Sequence, residues 1–143
     1  GLQLERFITF LCLRMDLKSG NVTIVNAGHM LPIWKRQALG TIEQPGDDEA
    51  GIPLGIEDGY EYESVTLSMV PGDELMLYTD GISEAPNADG QLYGTDRLCQ
   101  HVQTSNGDLE LLGKTIIDDL TGFTRNTRQA DDMCLVLIRQ ESC

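Results

Sequence analysis

The stretch Glu74-Leu75-Met76-Leu77-Tyr78-Thr79-Asp80-Gly81 decides the fold. Residues 74–78 barely alternate between apolar and polar side chains, which reads as a strand covered on both faces. Pro71-Gly72-Asp73 in front of it is a tight turn, with proline and glycine at the restricted and permissive positions. A second apolar run, 133–138, is entered through Ala130-Asp131-Asp132. If the two runs are antiparallel neighbours, Asp80 and Asp131 meet at one end of the sheet. The chain between them is long enough for a pair of helices.

Working outward, residues 7–13 form an apolar run rich in aromatic and branched side chains. A polar turn with Ser19-Gly20 follows, then Val22-Thr23-Ile24-Val25 with period-two alternation. This predicts an antiparallel hairpin. Asn26-Ala27-Gly28-His29 breaks the pattern, and Leu31-Pro32-Ile33-Trp34 resumes it as a short strand, with Pro32 at an edge or a strand start. A polar loop that includes Pro45-Gly46-Asp47-Asp48-Glu49 follows, and 60–67 read as a strand with one wet face. After Gly81 the period changes. Residues 95–103 fit a short helix, with Leu98 and Val102 four apart. Leu109, Leu112, Ile116, Leu120 and Phe123 recur every three or four residues, an amphipathic helix ending near Gly122. Ser105 with Asp108 has the spacing of its cap and acidic partner. A helix pair packed on a mostly antiparallel sheet buries these faces most simply.

The composition fits a soluble globular chain of about one domain: 143 residues, 41% hydrophobic and 23% charged. The charge is lopsided, 10 Lys+Arg against 23 Asp+Glu, a net charge of -13. Lys35-Arg36 is the only adjacent basic pair, so nucleic acid and anionic membrane are poor partners. The same charge repels a phosphorylated substrate unless cations neutralise part of it. The four cysteines form no CxxC and read as buried free thiols in a reducing cytosol, a cytoplasmic setting. No apolar run reaches membrane-spanning length, and no signal peptide is visible.

Two carboxylates brought together repel, and a hard divalent cation with oxygen ligands removes that cost. Asp-Gly is also a common turn, and Asp-Asp before a strand can be simply solvated. Spacing alone leaves metal binding and turn chemistry both standing. Gly81 permits a positive φ or the close approach of a ligand. His29 is read as holding the turn at 26–29, because the other histidine, His101, sits in the helical region. Asp73 is read as turn structure. Asp47-Asp48-Glu49 and Asp118-Asp119 are read as solvated. There is no GxGxxG, no phosphate-binding GxxxxGK[ST], no GxSxG and no HExxH. Ser83 has no histidine near it in sequence to make it a nucleophile.

Five blocks carry a family resemblance. They are Phe7-Ile8-Thr9 with Asp16, Ser19-Gly20 and Val25-Asn26-Ala27-Gly28-His29; Gly51-Ile52-Pro53-Leu54-Gly55; Pro71-Gly72-Asp73 with Leu77-Tyr78-Thr79-Asp80-Gly81-Ile82 and Glu84; Tyr93-Gly94 with Arg97-Leu98; and Asp131-Asp132-Met133. In order and spacing they resemble the PPM family of metal-dependent serine/threonine protein phosphatases, and most of all its bacterial branch of sporulation and stress-response regulators. The resemblance covers nearly the whole chain.

The resemblance implies an α+β fold, an antiparallel β-sandwich flanked by helices in four layers (αββα), with two or more Mn2+ or Mg2+ ions at one end. Asp80 and Asp131 would each ligate a metal, with Gly81 and Asp132 in supporting positions. Metal-activated water would hydrolyse phosphoserine or phosphothreonine with no covalent enzyme intermediate. The partner implied is a phosphorylated regulatory protein such as an anti-sigma-factor antagonist, in stress-response or two-component signalling. The family's early Gly-Asp strand, whose aspartate bridges the metals, has no counterpart here. Leu2 and Leu4 read as the end of a preceding helix or its connection. The expectation is therefore that residues 1–143 are the C-terminal portion of the domain, inactive alone. A longer parent would supply the bridging aspartate, with a fused sensor or receiver domain by family analogy. The competing reading is a non-catalytic, phosphatase-like adaptor that keeps only a surface for a signalling protein.

Overall fold

Residues 74–78 do form a strand, and it lies inside a sheet. The computed structural model describes residues 6–129 and 131–142. Gly1, Leu2, Leu4, Ala130 and Cys143 lie outside them, and with them the reading of 1–5 as a helix end. The described residues divide into two compact units, 6–31 with 44–69 and 32–43 with 70–129 and 131–142.

The first unit holds a three-stranded antiparallel sheet in the order β1-β2-β5. β1 is Phe10–Met15, β2 is Asn21–Ala27 and β5 is Ser64–Ser68. The expected hairpin is present, with Cys12 opposite Val25. Asp16 shapes its turn by accepting from the backbone N–H of Lys18 at 2.9 Å and of Ser19 at 3.3 Å. Those bonds hold its carboxyl below the ordinary carboxylate range, the Lys18 N–H contributing most. Alternation on β1 turns Leu11, Leu13 and Met15 inward and Cys12 outward.

The second unit holds a four-stranded antiparallel sheet in the order β4-β3-β6-β7. Its strands are β3 Ile33–Arg36, β4 Thr41–Glu43, β6 Glu74–Tyr78 and β7 Leu135–Arg139. β6 is central, with Leu75 and Met76 fully buried. It pairs antiparallel with β7, Tyr78 opposite Leu135. Pro32 stands just before β3, where its missing N–H costs no ladder bond. β4 falls in the stretch read as loop: its alternating Thr41-Ile42-Glu43 is too short to register as a period.

The helices are α1 Asp80–Ser83, α2 Thr95–Thr104 and α3 Leu109–Phe123. Leu98 and Val102 of α2 and Leu112, Ile116 and Leu120 of α3 are buried, the stripe the spacing predicted. α2 packs on β3 and β4, and α3 packs on β7 and on α2. The cap of α3 differs from the expectation. Asp108 is the N-cap, accepting from Leu111 N at 3.0 Å, while Ser105 ends α2. Asp108 wins because it directly precedes the first helical residue, and its carboxylate also favours the positive end of the helix.

Lys35, Glu74 and Arg139 are register partners on adjacent strands and so share one face of the sheet. All three reach the α2–α3 connection. Lys35 Nζ donates to Ser105 O at 2.7 Å, and Ser105 Oγ donates to Glu74 Oε1 at 3.0 Å. Arg139 Nη1 donates to Gly107 O at 3.2 Å. Lys35 and Glu74 are buried. Glu74 Oε2 and Arg139 Nε are buried without a hydrogen-bond partner among the described residues.

The chain is thus α+β with antiparallel sheets and a helix pair, as the sequence led one to expect. The thiols depart from expectation. Cys12, Cys99 and Cys134 are free, but Cys12 and Cys134 are exposed and Cys99 is half-buried. Cys12 faces outward on β1, and Cys134 precedes β7 outside its paired length. Among the described residues no helix is long and apolar enough to cross a membrane.

Candidate functional site

Thr79 is the joint from which the site is built. It ends β6 and is the N-cap of α1, yet its hydroxyl makes no cap bond. The hydroxyl instead donates to Asp132 O at 3.3 Å and accepts from Cys134 N at 3.0 Å. Thr79 N donates to Cys134 O at 3.1 Å. The β6 exit and the β7 entry are therefore fastened together, one continuing into Asp80 and the other coming from Asp131.

Gly81 tightens the joint. A Cβ at this position would collide with the Asp132 carbonyl, coming 2.8 Å from its carbon. The Asp132 contribution shown by the geometry is thus its backbone carbonyl, which receives Thr79 and abuts Gly81. Asp131 Oδ1 accepts from Asp132 N at 2.8 Å, and Asp131 O accepts from Gln129 Nε2 at 2.8 Å.

Asp80 and Asp131 line one cleft of about 640 Å3. Both are exposed, and among the described residues neither forms an ion pair. The antiparallel pairing of β6 and β7 brings them to the same end of the sheet, as the sequence argument required. Two carboxylates without cationic partners are hard oxygen donors and suit Mg2+ or Mn2+. They are also a partial set. Among the described residues no group of three or more His, Cys, Asp or Glu side chains comes together to hold a metal.

The end of α3 and the segment after it also line the cleft. Thr127 Oγ1 donates to Pro86 O at 3.2 Å and to Thr124 O at 2.6 Å, tying this segment to the chain that follows α1. Asn126 turns the chain with φ 68. Asparagine is among the few residues with a side chain that adopt this left-handed conformation readily. Arg125 and Arg128 on either side of it line the cleft, as does Glu84 beyond α1. The arginines were not singled out from sequence. The available signal was two arginines three residues apart, directly before the Asp pair, in a chain with 10 basic residues.

The remaining candidates take structural roles. Asn26 and His29 brace their turn as expected: Asn26 Nδ2 donates to His29 O at 3.0 Å, and His29 N donates to Asn26 Oδ1 at 2.7 Å. The His29 ring nitrogen Nδ1 lies 3.0 Å from Met30 O. Gly28, at φ +70, lies against Pro53, where a Cβ would come within 2.6 Å of the proline ring. The Asn26-Ala27-Gly28-His29 and Gly51-Ile52-Pro53-Leu54 blocks are therefore in contact. Asp73 is almost completely buried and accepts three hydrogen bonds, from Trp34 Nε1, Gln37 N and Val70 N at 3.3, 3.0 and 3.1 Å.

The family described as Stage II sporulation protein E (SpoIIE) matches residues 1–141. The phosphoserine phosphatase RsbP of Bacillus subtilis (strain 168) is 28% identical over 134 residues, 94% of this chain and 31% of RsbP. The phosphoserine phosphatase RsbU of the same strain is 27% identical over 138 residues, 94% of this chain and 39% of RsbU. The chain thus spans about a third of the length of these relatives. Among solved structures, the phosphatase domain of the cell fate determinant SpoIIE from Bacillus subtilis, presoaked with Mn, is similar with a TM-score of 0.70. It is 20% identical, and the match covers 94% of this chain and 57% of that one. RsbX in complex with magnesium is similar with a TM-score of 0.60 and 18% identity, over 90% of this chain and 54% of that one.

Proposed function

The chain belongs to the Stage II sporulation protein E (SpoIIE) family, and from that membership we propose that it is part of a metal-dependent phosphatase acting on a phosphorylated regulatory protein. The observation that carries the reading is the presence of Asp80 and Asp131, unpaired and exposed, on one cleft at the shared end of β6 and β7. Phosphoserine is the preferred substrate group, because both curated relatives above carry the name phosphoserine phosphatase. An anti-sigma-factor antagonist is the kind of partner expected.

Asp80 and Asp131 would hold divalent cations, with the remaining ligands supplied by the rest of the protein. Such ions, when bound, polarise a phosphoryl oxygen and make water acidic enough to act near neutral pH. The chain's own residues do the positioning. Thr79 and Gly81 fix the spacing between the two aspartate-bearing segments, and the Asp132 N–H orients the Asp131 carboxylate. Residues 1–143 are proposed as a portion of the phosphatase domain, consistent with the 57% of the SpoIIE phosphatase-domain chain that they cover.

The test is Mn2+-dependent release of phosphate from a serine-phosphorylated protein by the full-length protein. Asp80→Asn and Asp131→Asn are each expected to lower the rate by more than about 100-fold. Unaltered rates in both variants would remove the basis of the assignment.

A further inference from the structure

The cleft carries both signs of charge, with Asp80, Glu84 and Asp131 and with Arg125 and Arg128 in its lining. Both arginines are exposed. Among the described residues neither arginine has a carboxylate within ion-pair distance. Unpaired guanidinium groups present a planar fork suited to carboxylate or phosphate. Met133 and Ile117 add apolar surface to the same lining, Ile117 being 46% exposed. A lining that mixes apolar and charged side chains fits a peptide segment better than a purely ionic ligand.

A net charge of -13 repels an acidic protein at long range. Two guanidinium groups without ion pairs offset this over the last few ångströms, within the screening length of physiological salt. We propose that Arg125 and Arg128 dock acidic residues flanking the phosphoserine of a protein substrate, selecting acidic phosphorylated segments over basic ones. This rests on the phosphatase reading and adds a specificity to it. The backbone that carries both arginines is held by the turn at Asn126 and the Thr127 bonds.

The test compares two serine-phosphorylated peptides of equal length, one with aspartates on both sides of the phosphoserine and one with lysines. The full-length protein with Mn2+ is expected to prefer the aspartate peptide in kcat/KM by about tenfold. Arg125→Glu/Arg128→Glu is expected to erase or invert the preference. Arg125→Gln/Arg128→Gln is expected to erase it while adding no repulsion. Lys18→Glu, a charge reversal in the β1–β2 turn, is expected to keep it and so separates local docking from net charge. Fluorescence anisotropy of the labelled peptides in excess EDTA provides a reading independent of turnover, with the same ranking of Kd expected. Equal handling of the two peptides by the wild-type protein, or a preference surviving in both arginine variants, overturns the proposal. If the wild-type protein fails to turn over p-nitrophenyl phosphate with Mn2+, the phosphatase reading falls, and the anisotropy ranking still decides whether the arginines dock acidic peptide.

Discussion

Asp73 shows how much a single side chain in a turn can hold. Its carboxylate receives an indole N–H and two backbone N–H groups from β3, from the residue after it and from the turn itself. Removing a buried charged acceptor strands its donors. Asp73→Ala is therefore expected to cost about 3 kcal/mol, measured as a lowered denaturation midpoint with an unchanged m-value. At Gly81 the limit is space. Gly81→Ala has to push the Asp132 carbonyl away, at a cost of about 1–3 kcal/mol for an overpacked site. Because that shift separates Asp80 from Asp131, Mn2+ affinity measured by titration calorimetry is expected to fall in the same variant. Asp119 gives a pH dependence. Tyr93 Oη donates to Asp119 Oδ2 at 2.6 Å, and His101 Nε2 lies 2.8 Å from the same oxygen. The Tyr93 bond first, and His101 second, hold the Asp119 carboxyl below its ordinary value. A lowered native value means that the stabilisation is present above the unfolded value and is lost as pH falls through the native one. The stability difference between wild type and Asp119→Asn is thus expected to shrink below about pH 4, read from denaturant titrations at stepped pH.

At the scale of elements, the α2–α3 connection is held by charge rather than by apolar contact. Lys35, Glu74 and Arg139 form a row of alternating sign beneath residues 105–107. Deleting the central member leaves two cations facing each other across β6. Glu74→Ala removes the acceptor of the Ser105 hydroxyl and is expected to cost about 1–3 kcal/mol and to raise hydrogen exchange in the α2–α3 connection. Much of this layer was legible in the sequence. The hairpin and both long helices followed from periods of two and of three to four, and β6 from its nearly unbroken apolar run. The helix cap was misplaced because Ser105 and Asp108 both suit a cap by type, and only the chain path shows Ser105 turned toward Glu74. β4 was missed because its pairing with β3, Lys35 opposite Ile42, depends on partners and not on its own composition.

For the whole molecule, the net charge of -13 is the dominant long-range term. Self-repulsion weakens as salt shortens the screening length from about 30 Å at 0.01 M to about 8 Å at 0.15 M. The melting temperature is expected to rise by a few °C over that range, about what 1 kcal/mol produces in a domain of this size. The candidate site was half legible. Asp80 and Asp131 could be paired from sequence because each sits at the end of a recognisable strand, and two antiparallel strands must bring those ends together. Arg125 and Arg128 could not, since their position depends on the left-handed backbone at Asn126 and on the reach of Thr127 to Pro86. The charged row beneath the α2–α3 connection has a consequence for inheritance. Any one of positions 35, 74 and 139 changed alone leaves a buried charge without its neighbours, whereas an apolar trio of similar volume can be neutral or stabilising. Related chains should therefore show the three positions exchanged as one character, all charged or all apolar, and intermediates should be rare in any lineage that keeps this pair of helices.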